Sequence, residues 1–219
     1  MAGTIDWVFL SEDTDISMLR ILAKHSGFST DNTLFFSYKT STNLESAKIL
    51  AEFIREISPT TKVVIHRDRD FMNEAEVTKV SDKITSCGAI PFVTEGADVE
   101  DYFVHPRHIA DRVGASPEDV EVWLTEIAVT YHNDIHYSFT RKRDEVKRLL
   151  YKDNSEACPG TLELIGTDIP LPVSKRRGKF MLKKVRGGLH ERFDIEDDLL
   201  VATDGLKSPR LEEILNGIA

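Results

Sequence analysis

The sequence lacks the features that mark membrane, secreted and disulfide-rich proteins. No apolar run approaches the roughly 20 residues that a helix needs to cross a bilayer. The N-terminus has neither the basic start nor the cleavage site of a secretory signal. Only two cysteines, Cys87 and Cys158, occur in the 219 residues, which argues against a disulfide framework or a zinc site. We therefore expect a cytoplasmic protein with no membrane association.

Charge is unevenly distributed along the chain. Hydrophobic residues make up 41% and charged residues 30% of the sequence, as in a typical globular protein, and the net charge is −9. Residues 141–186 nevertheless contain 13 of the 28 Lys and Arg residues against six acids, which gives this segment a charge of +7. An acidic body with one basic segment fits a metal site beside a phosphate-binding surface, and it equally fits a merely polar protein.

Strand and helix patterns alternate through the first hundred residues. Apolar and β-branched runs predict strands, and apolar residues spaced by three and four predict helices. The predicted strands cover residues 6–10, 33–40, 62–66 and 89–95, and the predicted helices cover 16–25, 42–58 and 73–88. In the second helix, the residues expected to face inward are Leu44, Ala47, Ile49, Leu50, Phe53 and Ile54. The alternation predicts an α/β fold with a mostly parallel sheet flanked by helices.

The pattern becomes helical in the second half of the chain. Residues 118–153 contain no Gly or Pro and are predicted to form one or two long helices. A further helix is expected from residue 178 until Gly187 and Gly188 close it, and a capped helix is expected near the C-terminus. We predict an α/β core over residues 1–112, a helical insertion over 113–173, and a return to the core over 174–219.

Three acidic clusters follow three of the predicted strands. They are SEDTD (11–15), DRD (68–70) and EGADVED (95–101). The carboxyl ends of parallel strands form the usual site of an open α/β sheet. Each cluster alone fits a solvated turn or a helix cap, but carboxylates gathered at one edge repel each other unless a divalent cation neutralises them. The one-residue spacing of Asp68 and Asp70 predicts that both lie on one side of an extended segment, with Arg67 and Arg69 on the other.

The order of these motifs resembles the Toprim fold shared by topoisomerases, primases and some nucleases. The segment DVEDYFVHP (98–106) resembles a signature of the nuclease domain in the OLD (overcoming lysogenization defect) family, and RRGKFMLKKV (176–185) resembles that family's Gly-Lys element. The likeness covers residues 6–109 and resumes near Gly178. The chain departs from the usual Toprim Glu-Gly-x-x-Asp because Asp13 follows Glu12, and Asp101 stands where the family usually has Asn.

The resemblance implies a Mg²⁺- or Mn²⁺-dependent endonuclease that hydrolyses DNA with two metal ions, with RNA as an alternative substrate and Ca²⁺ as a non-catalytic substitute. Such proteins are associated with phage defence. The implied catalytic residues are Lys179, Asp68 and Glu12, with Lys179 stabilising charge on the phosphate or protonating the leaving group. The implied metal ligands are Glu12, Asp15, Asp68, Asp70, Asp98 and Glu100; which of Glu12, Asp13 and Asp15 binds metal is left open. The implied contacts to the nucleic-acid backbone are Lys175, Arg176, Arg177, Lys183, Lys184 and Arg186.

Many OLD proteins carry an ABC-type ATPase ahead of the nuclease domain. The present sequence has no Gly-x-x-x-x-Gly-Lys-Ser/Thr loop, so we expect either the catalytic region of a longer chain or a nuclease subunit with a separate ATPase partner. Two other classes fit part of the pattern. A receiver-like Mg²⁺-binding phosphoacceptor domain would leave the third acidic cluster without a role. A non-catalytic Toprim-like module would bind nucleic acid without metal and would cleave nothing.

Overall fold

The computed structural model describes residues 4–39, 44–196 and 199–217. It divides the chain into two compact units. The first unit comprises residues 1–68, 73–95 and 207–219, and the second comprises residues 69–72 and 96–206. Among the described helices, none has the length and apolar character that crossing a membrane requires. The sequence predicts a core over residues 1–112 and 174–219 with a helical insertion over 113–173. The two compact units do not show which segment was inserted, so this division stays a prediction.

The first unit contains a parallel sheet. Its strands are β1 (Trp7–Ser11), β2 (Thr33–Ser37), β3 (Lys62–Arg67) and β4 (Ile90–Val93). Within the described ranges, the four strands lie in the order β2-β1-β3-β4, and every neighbouring pair is parallel. The predicted α/β fold with a sheet flanked by helices is confirmed. All five residues of β1 are buried, as expected for an inner strand that is covered on both faces.

Helices make up most of the rest of the chain. In chain order they are α1 (Ser17–His25), α2 (Leu44–Ile57), α3 (Glu74–Thr85), α4 (Pro106–Val113), α5 (Pro117–Thr130), α6 (His132–Leu150), α7 (Thr161–Ile165), α8 (Gly178–Phe193) and α9 (Pro209–Leu215). The first three and α9 belong to the first unit, and α4 to α8 belong to the second. The long helical stretch expected after Pro117 is therefore two helices, which meet at Tyr131.

The connections of the sheet fix which helix covers which face. The chain leaves β1 for β2 on one side and then returns across β1 to reach β3. Connections between parallel strands are right-handed in nearly all known folds, and three such connections in this strand order place α1 on one face of the sheet and α2 and α3 on the other. The largest fully buried side chains of this unit include Phe9, Leu10, Ile65 and Phe92, which come from three neighbouring strands. This core holds the carboxyl ends of the strands in a fixed relation.

The predicted inward face of α2 is partly wrong. The buried residues of α2 are Ala47 and Ala51. Ile49, Leu50 and Phe53, which the sequence placed inward, are 67%, 37% and 56% exposed. The two alanines are small enough to let the helix approach the sheet closely, and residues 49 and 53 lie about half a turn away from that contact. The apolar periodicity therefore predicts the helix correctly, but it assigns the face with large side chains to the core in place of the face with the two alanines.

The predicted end of α8 is also wrong. The helix continues through Gly187 and Gly188 to Phe193, and the chain then turns at Asp194 with a φ of 55°. A Cβ on Gly188 would lie 3.1 Å from Cζ2 of Trp123, so this glycine allows α8 to pack closely against α5. The pair of glycines therefore serves helix packing and does not stop the helix.

Gly178 allows the first turn of α8 to approach the loop that carries Asp98 and Asp101. A Cβ at this position would lie 2.3 Å from the Asp101 main-chain nitrogen and 2.3 Å from Asp98 Oδ1. In contrast, a Cβ on Gly187 would have no neighbour within 4 Å. We expect Gly178→Ala to lower the free energy of unfolding by about 2 kcal/mol or more because main-chain atoms must move. Gly187→Ala should raise it by about 0.5–1 kcal/mol. Urea unfolding measures both, and equal effects would contradict this account.

Candidate metal centre

The register between β1 and β3 brings two of the predicted acidic clusters together. Ser11 lies opposite His66 in the parallel ladder, so the residues after each strand leave the sheet side by side. Ser11 Oγ lies 2.9 Å from His66 Nδ1 and also accepts the N–H of Asp13 at 3.1 Å. The carboxylate of Glu12 accepts the main-chain N–H of Asp68. These bonds fix the two strand ends to each other.

His66 lies at the centre of this arrangement. Its side chain is fully buried. The Nδ1 atom is 3.8 Å from Asp13 Oδ2, and Nε2 is 3.7 Å from Asp68 Oδ1. Within the described part of the chain, Nε2 has no hydrogen-bond partner. Ligand atoms of Asp13, His66 and Asp68 all lie within 4.8 Å of one another, a spacing at which one ion can bind all three.

His66 is a neutral imidazole at physiological pH. Burial, together with the nearby positive charge of Arg67, lowers the pKa of His66 to about 3. In the tautomer whose Nδ1–H donates to Ser11 Oγ, the Nε2 lone pair points into the cluster beside the Asp68 carboxylate. Two acceptors without a proton between them repel each other, and a metal cation bound to both removes that repulsion. The ionisation state of His66 is therefore the one that a metal ligand requires.

The donor set fits a divalent metal ion. Two carboxylates and one imidazole suit Mn²⁺ better than Mg²⁺, because Mg²⁺ prefers oxygen ligands alone. The charges around these three residues also favour a bound cation. Burial and the Glu12 carboxylate, with further contributions from Asp68 and Asp13, raise the pKa of Tyr38, whose hydroxyl donates to the His66 carbonyl at 3.1 Å. These carboxylates therefore concentrate negative charge around one point.

The first cluster contributes different acids from those that the family pattern suggested. Asp13 belongs to the group, and Glu12 holds the end of β3 through the Asp68 N–H. Asp15 is exposed and accepts the N–H of Ser17 at 2.9 Å, a bond that lowers the pKa of Asp15. It begins α1 as a helix cap does and lies outside the group. Metal ligation by Asp15 stays a prediction.

The expected common side of Asp68 and Asp70 is wrong. Strand β3 ends at Arg67, and the chain turns through left-handed conformations at Asp70 (φ 49°) and Phe71 (φ 63°). The alternation of an extended strand therefore stops before Asp70, which belongs to the second unit. In that unit Asp70 is buried and forms an ion pair with Lys142 Nζ at 2.8 Å. Burial lowers the pKa of Lys142, but the charge and hydrogen bond of Asp70, together with the Glu145 charge, raise it above its ordinary value.

Asp98 and Glu100 lie beside the start of α8 in the second unit. Both carboxylate oxygens of Asp98 accept the Lys179 main-chain N–H at 3.2 Å, and Arg177 Nε lies 3.4 Å from Asp98 Oδ2. Burial and the Glu100 carboxylate raise the pKa of Asp98 to about 7, against the opposing effects of the Lys179 N–H and Arg177. The Lys179 ammonium is 3.9 Å from Glu100 Oε1, and its side chain is 64% exposed. Asp101 closes the turn by accepting the N–H of Ala97.

The predicted basic residues differ in whether their side chains are exposed to solvent or already bonded within the protein. Arg176 is buried, and its Nε donates to the Leu171 carbonyl at 2.6 Å. Lys175 Nζ donates to the Ile165 carbonyl at 2.9 Å. Lys184 lies over the Tyr131 ring, 3.7 Å from its centroid. Exposed side chains remain at Lys179, Lys183 and Arg186. The first three residues stabilise the second unit, and the exposed three face solvent, where a phosphate backbone can reach them. The predicted nucleic-acid contacts stay a prediction for Lys175, Arg176, Arg177, Lys183, Lys184 and Arg186.

Comparison with known proteins supplies no family assignment. The chain has no significant match among protein-family models, curated proteins or solved structures. The site must therefore be interpreted from its own chemistry.

The sequence did not identify His66 as a candidate ligand or Lys142 as the partner of Asp70. His66 carries a signal that was available, because it precedes Asp68 by two positions and so shares its side of the extended strand end. Lys142 carries no such signal. It is one of several basic residues in α6, and only the tertiary fold brings it to Asp70.

The ion pair of Lys142 with Asp70 predicts a specific loss of stability. Only 15% of the Lys142 side chain and 6% of the Asp70 side chain are exposed. We expect Lys142→Met to lower the free energy of unfolding by about 3 kcal/mol, because it leaves a carboxylate buried without its cation. Adding Asp70→Asn should restore much of the loss. Lys147→Met, on the exposed side of the same helix, is the matched control. A double variant as unstable as the sum of both single changes would contradict the pairing.

The raised pKa of Asp98 predicts a pH dependence of stability in metal-free protein. Between the ordinary carboxyl pKa near 4 and the value of about 7 in the fold, Asp98 is protonated in the folded chain and ionised in the unfolded chain, and Asp101, whose pKa burial and Asp98 also raise, acts in the same direction. Stability should therefore fall as pH rises through this window. Asp98→Asn should remove that component, whereas Asp168→Asn on the exposed surface should not. The check is denaturant unfolding between pH 4.5 and 8 with a chelator present; a constant difference between wild type and Asp98→Asn would refute the assignment.

Proposed function

We propose that the chain is a metal-dependent nuclease that hydrolyses phosphodiester bonds in DNA. The observation that carries this proposal is the buried His66 Nε2, which has no hydrogen-bond partner among the described residues and faces Asp68 in a cluster that also contains Asp13. A divalent cation at this point would bind the Nε2 lone pair and offset the charge of both carboxylates. The cluster lies at the carboxyl ends of β1 and β3, where catalytic sites of α/β sheets form.

The reaction class follows from the donor set. When bound, a divalent ion supplies an acidified water as nucleophile and neutralises charge on a phosphate. Asp13 and Asp68 contribute the negative ligands, and neutral His66 contributes the nitrogen ligand. Glu12 positions Asp68 through the main-chain N–H. The carboxylates of Glu12, Asp13 and Asp68 surround one point and would attract a cation. A phosphodiester is negatively charged, and a bound cation would offset that charge before a nucleophile approaches.

The second unit supplies groups suited to a phosphate. Lys179 presents an exposed ammonium next to the first turn of α8, and Lys183 and Arg186 are exposed further along the same helix. A role for Lys179 in binding a phosphate oxygen and stabilising its charge rests on the Gly-Lys motif. Among the alternatives, a receiver-like domain would leave the third acidic cluster, which includes Glu100, without a role. The Toprim and OLD relationship, the use of two ions and the participation of Asp70, Asp98 and Glu100 as ligands belong to this proposal and rest on the sequence motifs.

The metal centre is tested first, by titrating Mn²⁺ into chelator-treated protein in a calorimeter. Asp13→Asn and Asp68→Asn should each weaken binding by about tenfold to a hundredfold. Asp15→Asn is the matched control, because it removes an acid from the same SEDTD segment but not from the group, and it should leave the dissociation constant unchanged. Loss of binding in Asp15→Asn but not in Asp13→Asn would contradict the assignment.

Cleavage is tested next, on supercoiled plasmid with Mg²⁺ or Mn²⁺. Wild type should nick or linearise the plasmid, and Asp68→Asn and Lys179→Ala should reduce the rate by at least about a hundredfold. If wild type binds Mn²⁺ but does not cleave the plasmid, the proposed nuclease activity is wrong and the proposed metal centre is retained. In that case, phosphate uptake from acetyl phosphate would identify a receiver-like domain, and metal-independent DNA binding would identify a non-catalytic module.

A further inference from the structure

The first unit exposes an unusually apolar surface on α2 and β2. Ile49, Phe53 and Ile57 lie one turn apart on α2 and are 67%, 56% and 67% exposed. The whole set, called here the α2–β2 surface, consists of Leu34, Phe36, Ile49, Leu50, Phe53 and Ile57. On a helix that covers a sheet, the side facing water is normally polar. Here the large apolar residues face away from the sheet and the alanines face toward it.

The strand and helix parts of this surface lie on the same side of the sheet. Phe35 stacks on Phe9 and lies 5.6 Å from the guanidinium of Arg20 on α1, so it points to the face that α1 covers. Its neighbours Leu34 and Phe36 therefore point to the opposite face, which is the face that α2 covers. They are 40% and 47% exposed.

The adjoining edge of the sheet presents main-chain groups. The Tyr38 N–H donates to the Ser11 carbonyl at 2.8 Å, so the even-numbered residues of this strand bond to β1. The N–H and C=O groups of Thr33, Phe35 and Ser37 point to the outer side of β2. In the described ranges no strand pairs with that side. A second strand can therefore add to the sheet there.

We propose that the α2–β2 surface is the interface of a homodimer of this chain. A twofold axis beside an edge strand pairs that strand with its own copy in antiparallel orientation and places each apolar surface against the other. The exposed parts of the six side chains amount to roughly 600 Å², at about 200 Å² for each complete side chain. That area is close to the roughly 800 Å² that each partner of a stable complex contributes.

Charge also favours a second copy over nucleic acid. The helix carries Glu45, Glu52 and Glu56 together with Lys48 and Arg55, so both signs surround the apolar stripe. A nucleic-acid surface would be basic. A self-complementary surface instead needs both signs, because each charge meets the same surface of the partner. The dimer does not depend on the nuclease proposal, because no residue of the metal cluster belongs to this surface.

The test is the molar mass of the purified chain by analytical ultracentrifugation over a range of concentrations. Wild type should be a dimer. Phe53→Asp at the centre of the surface should raise the dimer dissociation constant by at least about a hundredfold. Val122→Asp on α5 is the matched control, since Val122 and Phe53 are both 56% exposed, and it should have no effect. Circular dichroism checks that both variants fold, and Ile49→Lys provides an independent second variant.

Three results would overturn the dimer. The first is a wild-type monomer at every concentration, which would also be the result if the surface binds a different protein. The second is a dimer that Phe53→Asp and Ile49→Lys leave intact. The third is a dimer that Val122→Asp weakens as much as Phe53→Asp does, because the effect would then come from added charge and not from this surface.

Discussion

The register between β1 and β3 is the constraint on which the candidate site depends. With Ser11 opposite His66, the strand ends deliver Glu12 and Asp13 from one side and Asp68 from the other. Because side chains alternate along a strand, a slip of one residue would exchange His66 for its buried neighbour Arg67 and would replace an acceptor by a cation. The apolar core of the first unit fixes this register, so the same side chains that stabilise the sheet also determine the chemistry at its edge.

The turn after β3 gives different surroundings to Asp68 and Asp70, which are one residue apart in the DRD motif. Positive φ values at Asp70 and Phe71 turn the chain within four residues of the end of β3. Non-glycine residues adopt this conformation at a cost of about 1 kcal/mol or more, so tertiary contacts must hold them there. Those contacts include the Asp70 ion pair with Lys142 and the bond from Arg143 to the Phe71 carbonyl. Contacts with α6 therefore hold Asp70 in a left-handed conformation, which differs from the extended backbone of a strand.

The sequence predicted the parts of the molecule that depend on local periodicity. Alternating strands and helices, the parallel sheet and the clusters at strand ends all follow from patterns within a few residues, and the fold confirms the α/β class. The errors arise where distant residues decide the outcome. The inward face of α2 depends on how closely Ala47 and Ala51 approach the sheet, and the length of α8 depends on Trp123 meeting Gly188. Likewise, no local pattern connects Asp70 with Lys142.

Charge compensation distinguishes the acids of the two units. In the second unit, Asp70 contacts the Lys142 ammonium and Asp98 contacts the Arg177 guanidinium, although Arg177 does not offset the burial and the Glu100 charge that raise the pKa of Asp98 to about 7. In the first unit, Asp13 and Asp68 face an imidazole that is neutral, because burial and Arg67 oppose its protonation. A metal ion near Asp70 or Asp98 must compete with a cation of the protein. An ion at the ends of β1 and β3 would instead gain the neutral imidazole of His66 as a ligand beside Asp13 and Asp68.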